Sequence, residues 1–228
     1  MDLEYFLYEL LNYMLMIPTV LIALSFHECA HGFVAYKLGD PTAKHLGRLT
    51  LNPIKHIDPL GALCMLLCRF GWAKPVPVRM MNFKKPKTGM AITALAGPVT
   101  NLLLAFIGCF FLALAQRFLP MEFTEKSFSY WMVYILINFL YFFAWLNISL
   151  AVFNLIPLPP FDGSRVLSAF LSDKYYMPLL RYEREIAIGF FAILYLDSRF
   201  LGGYISGGLS FLVNGIYNSM MSLFYLFL

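Results

Sequence analysis

Four stretches of this 228-residue chain contain no Asp, Glu, Lys or Arg: Leu10 to Phe26, Thr88 to Gln116, Ser127 to Phe161 and Phe200 to Leu228. Each approaches or exceeds the ~20 apolar residues that a helix needs to cross the hydrocarbon of a bilayer. Charged residues make up 13% of the chain, against roughly 25% in soluble domains. The pattern predicts an all-α, polytopic integral membrane protein.

Charge orders the spans. Ten of the seventeen basic residues fall between Lys37 and Lys87, with only Asp40 and Asp58 opposing them. The positive-inside rule makes that loop cytoplasmic, so the net charge of +4 is explained by membrane orientation and calls for no nucleic-acid partner. The leading segment carries Asp2, Glu4 and Glu9 and no basic residue, unlike a secretory signal. Helices are expected over Leu10 to Tyr36 (running inward), Gly89 to Gln116 (outward) and Tyr130 to about Leu155 (inward).

Ile186 to Leu196 is a shorter uncharged run, and Phe200 to Leu228 is loosened by Gly202-Gly203 and Gly207-Gly208. Counting both gives about five spans, or four if the shorter run does not cross. Leu60 to Cys68, followed by Lys74-Pro75-Val76-Pro77-Val78, reads as a re-entrant or interfacial stretch. Neither repeats nor linkers divide the chain, which is expected to be one domain over 1–228, with a catalytic core about 10–165 and terminal spans about 180–228. Cys29, Cys64, Cys68 and Cys109 lie in or beside apolar segments and read as small buried hydrophobes.

The chemistry concentrates at His27-Glu28-Cys29-Ala30-His31. Residues i and i+4 share a helix face, so both imidazoles can converge on one zinc ion while Glu28 stands beside a bound water. Zinc lowers the pKa of that water from about 15.7 to about 7, and Glu28 can take its proton and later deliver it to the leaving amine. A charged side chain within a span costs roughly 2.5–3.5 kcal/mol on insertion scales. An intramembrane Glu flanked by two His therefore needs a partner, and Zn2+ supplies one.

A catalytic zinc site takes three protein ligands and keeps a fourth position open. Asp162 is the leading candidate for the third: it follows the proline-stiffened turn Pro157 to Pro160 and falls on the same side of the membrane as the histidines. The alternative for Asp162 is an interfacial carboxylate capping the next helix. His45 and His56, in the polar loop, are weaker ligand candidates. In Gly97-Pro98-Val99-Thr100-Asn101, residues Thr93, Gly97 and Asn101 share a face that reads as a packing seam. Asn101 could also bond a substrate backbone group, and Asn154 could donate to an oxyanion.

Together, His27-Glu28-x-x-His31, Gly97-Pro98-x-x-Asn101 and Asn154-x-x-Pro157 leading to Asp162-Gly163 resemble the site-2 protease family (peptidase family M50). Gly47 to Pro53 and Gly71 to Val78 extend the similarity to its compact prokaryotic members without a PDZ domain. The resemblance covers roughly residues 20 to 165. It implies that His27, His31 and Asp162 ligate zinc and that Glu28 is the general base. It also implies membrane-associated β structure around Leu60 to Val78, a transmembrane protein as substrate, and a multi-pass protein of the prokaryotic cell membrane with its active site toward the cytoplasm. Two alternatives stand beside this reading: a membrane-surface zincin using Glu183 or Glu185, and a zinc or proton transporter. Oligomeric state is not legible in the sequence.

Overall fold

The computed structural model describes residues 3–59, 61, 73–120, 127–200 and 202–228. Three long helices dominate it: α1 (Leu3–Lys37), then, after the short α2 (Thr42–His45), α3 (Pro86–Phe118) and α4 (Phe128–Asn154). Their ends follow local chemistry. α1 closes with Lys37 in its last turn, where a cation meets the negative end of the helix dipole, and the chain then breaks at Gly39, whose φ is 110°. α3 opens on Pro86 and closes with Arg117. The hydroxyl of Ser127 caps α4 by accepting the Tyr130 N–H.

All three helices are long and apolar enough to cross a membrane. α3 is central and packs against both α1 and α4. Its outward face presents Leu103, Phe106, Ile107, Phe110 and Phe111, while Ala105, Gly108, Cys109 and Ala113 are buried. Large apolar side chains toward lipid and small residues between helices is the arrangement expected where no hydrophobic effect drives helix association. Gly108 lies against Phe143 and Ala144, and Ala105 packs with Ile148, so α3 and α4 run antiparallel. Near the starts of α1 and α4, the Tyr8 and Tyr130 hydroxyls bond at 2.9 Å beside Trp131, as suits an aromatic belt at a membrane–water interface.

Four shorter or less apolar helices complete the described structure: α5 (Asp162–Leu167), α6 (Asp173–Arg181), α7 (Glu183–Phe200) and α8 (Tyr204–Phe227). Among the described residues, three helices qualify as spans by length and composition, with a fourth only if α7 and α8, bent by 98° at their junction, cross as a pair, so the expected count of about five is not confirmed. Charges at both ends of α7 (Glu183, Arg184, Glu185, Asp197, Arg199) and the Ser, Asn and Gly residues diluting α8 explain why neither qualifies alone. Gly202 and Gly203, both at positive φ, turn the chain between them, and the Asp197 carboxylate accepts the N–H groups of Ile205 and Ser206.

The β structure expected around Leu60 to Val78 falls largely outside the described residues, as do Cys64 and Cys68. Among the described residues there is no strand, only an isolated antiparallel bridge between Ile57 and Ala73. Residues 74–78 have no regular secondary structure. Arg48 donates to the carbonyls of Lys74 and Pro75 at 2.6 and 3.3 Å. Asp40, just past α1, accepts the Arg79 N–H and the Asn82 amide, both at 2.6 Å, and the Thr42 N–H at 3.1 Å. These bonds clamp residues 73–82 across the end of α1.

Candidate metal centre

His27 and His31 lie on one face of α1, both buried, with His27 about 15 Å before Lys37 at 1.5 Å per residue. The turn after α4 returns Asp162, the first residue of α5, to that face. Gly163 permits this approach: a Cβ there would stand 2.4 Å from the carbonyl oxygens of Leu155 and Ile156. The two Nε2 atoms are 3.0 Å apart, and each lies 3.2 Å from Asp162 Oδ2. A tetrahedral zinc with bonds of about 2.0–2.1 Å spaces its ligand atoms about 3.3 Å apart, so the triangle matches in size and donor type. Among the described residues, this is the one His, Cys, Asp and Glu group that could hold a metal.

The protonation pattern points the same way. His31 Nδ1 lies 2.8 Å from the Thr93 carbonyl oxygen, which can only accept, so Nδ1 carries the proton and Nε2 presents its lone pair to the triangle. Three electron-rich atoms facing one another repel unless a cation or a proton sits among them.

Gly97 of α3 closes the site from behind. A Cβ at this position would stand 2.5 Å from His27 Cε1 and Nε2 and from His31 Nε2. The expected packing seam along Thr93 and Gly97 is thus a wall of the metal site. Glu28, next to His27, is buried, and its Oε2 accepts the Val76 N–H at 2.8 Å. A cavity of about 140 Å³ opens beside these groups.

Asn154 also lines that cavity, with its Nδ2 donating to the Leu150 carbonyl at 2.9 Å. Asn101 does not: it is fully buried within the bundle. His45 is exposed, and His56 Nε2 pairs with the Thr50 carbonyl oxygen, so neither joins the cluster. Glu183 and Glu185 sit on α7 outside it. Sequence reasoning missed three contributors: the Thr93 carbonyl, the Val76 N–H and Arg165, which lines the cavity one turn after Asp162. Only Arg165, at i+3 from a candidate ligand, left a signal in the sequence.

Residues 15–196 match the family model of peptidase family M50, and the chain belongs to that family. It is 40% identical over 211 residues to a Bacillus subtilis (strain 168) protein named "Putative zinc metalloprotease YwhC", covering 89% of each chain. It is 28% identical to Rip2 of Mycobacterium tuberculosis (strain ATCC 25618 / H37Rv), covering 86% of this chain and 71% of that one. Zinc metalloprotease MJ0392 of Methanocaldococcus jannaschii is 27% identical over 68% of this chain and 33% of its own length. No solved structure matches. The protein is a multi-pass membrane zinc metalloprotease, with Zn2+ as its expected cofactor.

Proposed function

We propose that this metalloprotease hydrolyses peptide bonds within or near the transmembrane segments of membrane-protein substrates, at a site facing the cytoplasm, as in regulated intramembrane proteolysis. The observation that carries the reading is the 3.0–3.2 Å convergence of His27, His31 and Asp162 on a helix that is itself a candidate span. The orientation rests on the basic loop between Lys37 and Lys87.

His27, His31 and Asp162 would hold the zinc. When bound, the ion polarises the scissile carbonyl and lowers the pKa of the attacking water. Glu28 takes the water's proton at the carboxylate oxygen not bonded to Val76 and passes it to the leaving amine nitrogen, which becomes the new N-terminus. The Val76 N–H holds the other oxygen and limits rotation of the carboxylate. Asn154, on the cavity wall, is placed to donate from Nδ2 to the carbonyl oxygen as negative charge develops there.

The test compares purified protein and Glu28→Gln for zinc content and for cleavage of a reporter transmembrane substrate. One zinc per chain in both, with cleavage by the unsubstituted protein alone, is the expected result. Absence of zinc from both, or equal cleavage by both, would overturn the reading.

A further inference from the structure

The ring of His27 has a second nitrogen that the metal triangle does not use. Nδ1 of His27 is buried and lacks a hydrogen-bond partner among the described residues. So do both polar atoms of the Asn101 amide, on a residue that is 0% exposed. An unpaired buried polar group costs about 1–3 kcal/mol, so two on facing helices point to an interaction between them.

The helix register brings them together. His31 bonds to Thr93, and one turn back along α1, His27 meets Gly97 one turn forward along α3. The helices are therefore antiparallel, and the next step pairs Ala23 with Asn101. Side chains on a helix lean toward its N-terminus. In this antiparallel pair, His27 leans toward the Ala23 level and Asn101 leans toward the Gly97 level, so the two close the roughly 6 Å of axial offset from opposite ends. Gly97 contributes no side chain between them, and Ala23 only a methyl group.

The orientation of the His27 ring agrees. The Cβ that Gly97 lacks would lie 2.5 Å from both Cε1 and Nε2. The Nε2–Cε1 side of the ring therefore faces α3, with Nε2 at the metal triangle and Nδ1 bonded to Cε1. Asn147 of α4 also has an unpaired Oδ1, but the pairing of Gly108 with Ala144 and of Ala105 with Ile148 sets it level with Ala105. That is about 12 Å beyond Gly97 along α3.

We propose that Asn101 is a positioning residue for the metal site: its Oδ1 accepts the His27 Nδ1–H through one buried water, and so holds His27 in the tautomer that offers Nε2 to zinc. His31 receives the same service from the Thr93 carbonyl. The proposal rests on His27 being a zinc ligand, as proposed above.

The test is apparent zinc affinity, measured by chelator competition on the full-length protein in detergent, for Asn101→Leu and Asn101→Asp. Asn101→Leu keeps the volume and deletes the acceptor; it is expected to weaken zinc binding about 10–100-fold. The melting temperature of the zinc-stripped protein should stay level or rise, because an unpaired amide has been replaced by an apolar group. Asn101→Asp keeps an acceptor and should bind zinc within about threefold of the unsubstituted protein. Spectra of ¹⁵N-histidine-labelled protein should show His27 Nδ1 protonated in the unsubstituted protein and in Asn101→Asp. Unchanged zinc affinity in Asn101→Leu, or equal loss in both variants, would overturn the proposal. If Asn101→Leu cannot be purified, loss of affinity in Asn101→Asp overturns it alone. Failure of the unsubstituted protein to bind zinc would instead sink the proposed ligand set.

Discussion

The Glu28 carboxylate accepts the backbone N–H of Val76 at 2.8 Å, which joins the helix carrying the proposed base to a proline-rich segment 48 residues downstream. Pro75 and Pro77 flank Val76 and offer no N–H of their own, so this segment has a single donor at the position where the carboxylate needs one. Replacing Val76 by Pro keeps extended backbone accessible and removes the donor. A hydrogen bond to a charged group contributes roughly 1.5–3 kcal/mol, so Val76→Pro is expected to lower kcat by roughly 10–100-fold with zinc content unchanged. Steady-state cleavage and metal analysis on the same preparation check both halves.

Gly97→Ala tests the wall of the metal site. Alanine is the better helix former by about 1 kcal/mol, which by itself predicts a stabler α3. The added methyl, however, would stand 2.5 Å from ring atoms of both histidines, closer than any non-bonded carbon can approach. The clash should win: zinc content of the purified variant is expected to fall below a tenth of one ion per chain. Full zinc retention would contradict the geometry.

Asp162→Asn and Glu183→Gln separate the two candidate acidic ligands. The first should weaken zinc binding at least tenfold and abolish cleavage, because a neutral amide replaces an ionised ligand. The second lies outside the cluster and should leave both unchanged. Zinc loss confined to Glu183→Gln would assign the third ligand to α7.

Asp40 gives a pH dependence away from the metal. Burial pushes its carboxyl upward, but bonds from Thr42, the Arg79 N–H and the Asn82 amide outweigh this and hold it below the usual value. A folded-state value below the unfolded one, about 3.9, means the folded protein favours the ionised form. Its stabilisation is complete above that unfolded value and is lost as pH falls through the folded one. Asp40→Asn should therefore lower the melting temperature at pH 7, by the equivalent of about 1–2 kcal/mol, and the gap should close as pH drops below about 4. A gap that does not change with pH would assign the effect to packing.

What the sequence made legible was local. His27, Glu28 and His31 lie within five residues, and Asp162 sits in a turn whose prolines restrict it, so spacing and chain stiffness announced both halves of the site. Val76, the Thr93 carbonyl and the closeness of Gly97 depend on the axial register of α1 against residues 48 to 70 positions away, which no local pattern records. The surroundings of Asn101 were hidden for the same reason: sharing a face with Gly97 is a matter of periodicity, but facing a cavity depends on the neighbouring helices. The last two spans were expected from uncharged runs already loosened by glycines or short of full length; α8 is further diluted by Asn214, Asn218 and several serines, and α7 by its charged ends.

The amide of Asn154 carries two hydrogens, and one is already committed to the Leu150 carbonyl of its own helix. That bond fixes the plane of the amide, and with it the direction of the second hydrogen, before any substrate arrives. A donor set in this way need not be reoriented as the carbonyl oxygen gains charge, so the cost of ordering it is met when α4 folds and not at each turnover. In the oxyanion role proposed for Asn154, that order would be a property of the helix end itself.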